Sequence, residues 1–186
     1  MKYFLPSLRM LLFMTVLTGM IYPLAITGIS QILFKEKANG QIISKNGISI
    51  GSELIAQKFE SERYFWPRPS GVDFNSLPSG GSNLGQASSG LKKAVDERFQ
   101  KLKSAHPDAG EPPQDLLFAS GSGLDPHISP EAARYQVARV AKARVMQIED
   151  LVALVDKVTE GRQWGILGEP RVNVLKLNLI LDQIKQ

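Results

Sequence analysis

From Met10 to Phe34 the chain runs for 25 residues without a charged side chain. About 20 apolar residues suffice for an α-helix to cross the hydrocarbon core of a bilayer, so this run constrains the fold more than any other feature. Gly19, Pro23 and Gly28 interrupt it, but membrane helices tolerate both residue types, and Pro23 predicts a kink. Tyr3 is suited to the interface, and Lys35 and Lys37 close the far end. A cleaved signal peptide fits less well, because the run is long and no small-x-small site follows it. The reading is therefore a short cytoplasmic N-terminus (1–9), a single transmembrane helix (10–34) and one compact extracytoplasmic domain (35–186). Lys2 and Arg9 nearly balance Lys35, Lys37 and Lys45, so the outward placement follows the pattern of a signal anchor rather than a charge count.

Beyond the anchor the composition is that of a soluble domain. Lys2 and Arg9 set aside, 20 of the 22 basic residues face 18 acidic ones, and the two signs are interspersed. Such a surface is solvated and mixed, with no basic stripe for nucleic acid. Cysteine is absent, which excludes disulfides, thiolate chemistry and cysteine-ligated metal centres.

Gln41–Ser44 and Ile48–Ile50 flank Lys45-Asn-Gly47, a hairpin signal. Ser52 is placed to cap a short helix through Phe59. Trp66 to Gly90 is rich in proline, glycine, serine and asparagine, and reads as a long irregular segment, a kind that is often functional or partner-facing. Leu91, Val95, Phe99 and Leu102 predict a helix over Leu91–Ser104, and Asp115–Ala119 a short strand. Ser129-Pro130-Glu131 starts a helix that runs to Gln147, with Tyr135, Ala138 and Ala141–Val145 on its packed side. Glu149 and Asp150 open another, ended by Gly161. Pro170 onward reads as a strand, with Val172, Val174 and Leu175, turning into a C-terminal helix. The fold class is α/β or α+β, helices predominating with a small sheet.

Candidate chemistry is sparse. Ser122, Asp125 and His127 are the residue types of a hydrolase, but no G-x-S-x-G elbow is present. The simpler reading of Asp125-Pro-His127 is a turn in which Asp125 accepts backbone hydrogen bonds. His106 and His127 are the two histidines; isolated in sequence, and with His106 in a polar loop, they make no metal site. Ser79-Gly-Gly-Ser-Asn83 has the composition of a phosphate-cradling loop but lacks the P-loop lysine, and reads first as a turn. No D-K-T-G-T phosphorylation motif occurs. Tyr64-Phe-Trp66, followed by Arg68, is either core or a partner anchor, since aromatics and arginine are preferred hot-spot residues.

Taken together, Tyr64–Ser70, Ser79–Gly85, Ala119–Pro130, Gln136–Arg144, Gly168–Val174 and Leu175–Leu179 resemble, in order and over essentially the full length, the C subunit of Kdp-type potassium-transporting P-type ATPases. The resemblance implies a single-pass protein of the bacterial cell (inner) membrane that is not an enzyme by itself. It implies three partners: a channel-like potassium-binding subunit, a P-type ATPase subunit and a small hydrophobic subunit. It implies a role in assembly and as a catalytic chaperone of the pump subunit, with Ser79, Gly80, Gly81, Ser82 and Asn83 similar to part of an ABC-transporter signature that meets nucleotide. An extracytoplasmic domain excludes contact with cytoplasmic ATP. On that topology no cofactor is firmly bound, and ATP and K+ act on the complex. The domain then covers the extracellular entrance of the channel-like subunit, with Asp73, Asp125 and Glu169 facing the cation and Tyr64, Trp66 and Arg68 facing a partner. The rival readings are a free-standing anchored hydrolase and an extracytoplasmic binding module.

Overall fold

The computed structural model describes residues 2–45 and 47–184. It divides into two compact units between Ile50 and Gly51.

In the first unit α1 (Phe4–Val16), a π-helical turn (Leu17–Ile21) and α2 (Tyr22–Leu33) follow without a break. Together they make a helix of 30 residues with no buried side chain, about 45 Å long at 1.5 Å per residue, which exceeds the hydrocarbon thickness. Pro23 has no N–H to give to the preceding turn. The structure accommodates this with the π turn and places Pro23 at the start of α2. The short α3 (Lys35–Ala38) follows. β1 (Ile42–Lys45) then pairs with β2 (Ile48–Ser52), as the Asn-Gly signal predicts; Asn46 itself lies outside the described residues.

The second unit is mainly helical. It contains α4 (Ser89–Ala105), α5 (Gln114–Leu117), β3 (His127–Ile128), α6 (Pro130–Arg144), α7 (Ile148–Val158), β4 (Val172–Asn173) and α8 (Val174–Gln183). β3 and β4 pair antiparallel, His127 opposite Asn173 and Ile128 opposite Val172. The core lies where α6, α7 and α8 meet this two-stranded ladder, around Phe65, Val140, Leu151, Val155, Leu177 and Leu181. Helices with a small sheet are the class expected from the sequence.

Local expectations fare unevenly. Ser88 caps α4 by accepting from the Leu91 N–H, and Ser129 caps α6 by accepting from the Ala132 N–H at 3.0 Å. Ser52, by contrast, caps no helix. Its hydroxyl accepts from the Leu54 N–H in a turn, and the Ala56 N–H reaches across to the Leu124 carbonyl at 2.9 Å, so a tertiary contact holds this segment in an irregular path. Asp115–Ala119 is not a strand. Its residues form α5, and the Asp115 carboxylate accepts from the Ser129 N–H at 2.7 Å. α6 stops at Arg144, not Gln147, because Val145 turns left-handed (φ 57°) and leaves the helix exposed, as is Ala138. α7 ends at Val158, before Gly161. Val174 and Leu175 are helical, because the Asn173 side chain caps α8 at the Lys176 N–H.

Candidate functional site

The segment Glu62–Trp66 has no strand partner, yet Phe65 is fully buried. A buried backbone must find hydrogen bonds somewhere, and here side chains from two helices supply them. Asn178 of α8 accepts from the Phe65 N–H at 2.9 Å and donates to the Phe65 carbonyl at 3.0 Å. Gln136 of α6 does the same for Trp66, at 2.7 and 3.1 Å. Each carboxamide mimics one rung of a β-ladder. Arg144, also on α6, donates to the Arg63 and Leu181 carbonyls and to Asp182, which accepts in turn from the Tyr64 hydroxyl at 3.0 Å.

Arg139 completes the grip. It donates to the Glu62 carbonyl (2.6 Å), the Tyr64 carbonyl (3.0 Å), the Gln136 side chain (2.8 Å) and His106 Nε2 (2.9 Å), and its guanidinium lies 4.0 Å from the centre of the Trp66 ring. Burial lowers its pKa to about 10, opposed by Glu62, so it stays charged at neutral pH. This geometry fixes the His106 tautomer. Arg139 Nε can only donate, so His106 Nε2 must accept. His106 Nδ1, 2.8 Å from the Leu102 carbonyl, carries the proton. His106 is therefore a neutral imidazole: it follows the end of α4, as expected, but it is buried. Burial pushes its pKa down, the Leu102 bond opposes this, and the Arg139 charge adds to the lowering.

The glycine-rich loop meets a second loop backbone to backbone. A Cβ on Gly81 would stand 3.0 Å from the Gly121 carbonyl oxygen, and one on Gly71 2.8 Å from the Ser82 nitrogen. At Gly123, whose φ is +71°, a Cβ would stand 2.6 Å from the Gly80 carbonyl oxygen. These glycines permit close approach of three chain segments. Ser79, Ser82 and Asn83 point outward from the stack and are exposed.

Beside this stack lies the Asp125 turn. Asp125 accepts from the His127 N–H at 3.0 Å, as expected of a structured turn, and from Arg68 at 2.9 Å. Partial burial would raise its pKa; the His127 imidazole and N–H, with the Arg68 guanidinium, overcome this and hold it at about 2. Ser122 does not join them: its hydroxyl accepts from the Leu124 N–H. Arg68 borders two open clefts. One, of about 330 Å³, brings Asp125 and Glu169 together with Asp115, His127 and Arg171. The other, of about 250 Å³, holds Asp73 with Lys58, Trp66, Arg98 and Lys101. The three carboxylates expected to face a cation each already hold a basic side chain: Asp73 holds Lys58 at 2.8 Å, Asp125 holds Arg68, and Glu169 holds Arg162 at 2.7 Å. Among the described residues no three His, Asp or Glu side chains converge as a metal site.

Compared with known proteins, residues 4–183 match the model of the family described as K+-transporting ATPase, c chain (KdpC). The chain belongs to this family. The potassium-transporting ATPase KdpC subunit of Rhodospirillum rubrum is 54% identical over 181 residues, 96% of this chain and 94% of the relative. Those of Methylococcus capsulatus and Dechloromonas aromatica are 51% and 50% identical, over 99% and 97% of both chains respectively.

In this KdpC chain the sequence singles out Tyr64, Trp66 and Arg68 as candidates but not what holds them. Gln136, Arg139 and Arg144 recur at spacings of three and five along α6, and His106 and Asn178 lie far off in sequence. A buried amide or guanidinium looks like any surface polar residue until its partner is known. Trp164, 86% exposed, was also not singled out. The signal available was Arg162-Gln-Trp-Gly-Ile-Leu167, an aromatic and a glycine between strand-like residues.

Proposed function

We propose that this chain is a non-catalytic accessory subunit of a high-affinity, ATP-driven potassium uptake complex, anchored by Phe4–Leu33 with its domain on the extracytoplasmic side. The observation that carries the reading is that one family match spans residues 4–183, taking in both the apolar helix and the domain. Its partners are a channel-like potassium-binding subunit, a P-type ATPase subunit and a small hydrophobic subunit. Its task is to stabilise their assembly and support the pump subunit's cycle, with the domain over the extracellular entrance of the channel-like subunit. ATP and potassium act on the complex, and this chain holds no cofactor firmly. The glycine loop supports this division of labour, since Gly80 and Gly81 pack closely against Gly123 and Gly121 of a second loop.

Two experiments test the reading. Affinity purification from mildly solubilised membranes recovers the larger subunits with this chain, and its deletion stops growth when potassium is limiting; recovery of the chain alone, or growth unaffected by its loss, sinks the accessory role. For topology, the cysteine-free chain takes single cysteines at Ser82 and Ser122. Both are labelled by an impermeant maleimide in intact cells. Labelling only after permeabilisation would place the domain inside and reopen nucleotide contact at Ser79–Asn83.

A further inference from the structure

Between α7 and β4 the chain makes an excursion whose neck and tip differ sharply in chemistry. At the neck Glu160 and Arg171 exchange backbone hydrogen bonds at 2.8 and 3.0 Å, and their side chains pair at 3.0 Å. Arg162 grips both oxygens of Glu169 at 2.7 and 2.8 Å. The tip is Trp164-Gly165-Ile166-Leu167, without a charged side chain. Trp164 is 86% exposed, Ile166 73% and Leu167 49%.

Three observations point to the same occupant. Trp164 sits at φ 53°, a left-handed conformation costly for a bulky residue, although its ring gains little contact within the domain. Three of the tip's four N–H groups are paired within the hairpin: Gln163 and Leu167 exchange both hydrogen bonds, Gly165 donates to the Arg162 carbonyl and Ile166 to that of Gln163. Internally paired N–H groups are what a segment entering lipid requires, whereas a protein edge seeking a strand partner leaves them open. Finally, the chain's own helix of 30 apolar-rich residues keeps this domain tethered to a bilayer, which raises the effective concentration of that surface.

We propose that the 160–171 hairpin is an interfacial anchor whose Trp164–Leu167 tip enters the headgroup–hydrocarbon boundary of a phospholipid bilayer. Tryptophan prefers that boundary because its ring is apolar while its N–H seeks a polar partner. The neck's two arginines are matched by two glutamates, so insertion needs no anionic lipid. The inference rests on Phe4–Leu33 spanning lipid.

The test uses the full chain reconstituted in phosphatidylcholine vesicles. A nitroxide on Ile166→Cys is compared with one on Ala138→Cys, an exposed site on α6. At 166 the ratio of oxygen to polar nickel-chelate accessibility is expected to be severalfold higher than at 138, and unchanged by adding phosphatidylglycerol. Equal ratios at the two sites overturn the anchor, as does shielding at 166 that arises only when the other pump subunits are present, which would make the tip a protein contact. Should Ile166→Cys misfold, bromolipid quenching of tryptophan emission is read in the unmodified chain and in Trp164→Phe; quenching is lost in the variant if the tip inserts, and identical in both if it does not. A chain that fails to float with vesicles defeats the membrane span as well, whereas one that floats with position 166 in water defeats the hairpin anchor alone.

Discussion

The two tryptophans are held in contrasting ways. Trp66 lies in a segment with no secondary structure of its own, its backbone paired by Gln136 and its ring covered by Arg139. Trp164 lies in a hairpin closed by its own backbone hydrogen bonds, with the ring left in the open. The first region depends on residues scattered from 106 to 182; the second depends on its immediate neighbours. The contrast shows that an irregular trace and a regular one exchange roles here: the coil is the tightly bonded, buried element and the hairpin the presented one.

The contrast breaks most readily at Arg139. Arg139→Met keeps the stem over Trp66 but strips the donors to Glu62, Tyr64, Gln136 and His106, and is expected to cost about 3–5 kcal/mol, since bonds from charged groups contribute about 1.5–3 kcal/mol each and losses are not additive. Urea unfolding of the full chain in micelles measures it; a loss under about 1 kcal/mol, the range of an ordinary substitution, would mean the coil does not depend on this grip. Asn178→Ala leaves the Phe65 N–H and carbonyl unpaired in the core, and should cost about 2 kcal/mol by the same assay.

Acidity sharpens the comparison more gently. The His106 pKa is lowered from 6.5 in the folded chain, so the folded state prefers the neutral ring and the unfolded state binds the proton first. The resulting stability is fully present above pH 6.5 and declines as pH falls towards the folded value, with His106→Phe removing that part of the profile. Asp125 adds a separate decline below its ordinary 3.8, as pH falls towards about 2. The smallest effect belongs to the exposed ring. Trp164→Gly relieves the left-handed backbone and should stabilise the domain by up to about 1 kcal/mol, partly offset by added freedom in the unfolded chain. A clear loss of stability would show that the ring packs where it stands exposed.

Local chemistry made part of this architecture legible in the sequence. The uncharged run, the Asn-Gly hairpin, the Ser129-Pro130 helix start and the strand-to-helix passage after Pro170 each depend on neighbouring residues, and each is found. Ser52–Phe59 and Asp115–Ala119 were misread because distant partners, the Leu124 carbonyl and the Ser129 N–H, decide their paths. The same holds at the site. Asp125 reads correctly as a turn because its partner is two residues away, whereas the burial of His106 after the end of α4 is not legible, because Arg139 stands 33 residues on.

Asn178 and Asp182 lie in α8, more than a hundred residues after the aromatic stretch they secure. A ribosome delivers them more than a hundred residues after Tyr64, Phe65 and Trp66, so the nascent chain carries these aromatics without those partners over that interval. Completion of the core thus waits on arrival of α8, and a polypeptide cut short before it displays those rings to chaperones and proteases as a mark of unfinished manufacture.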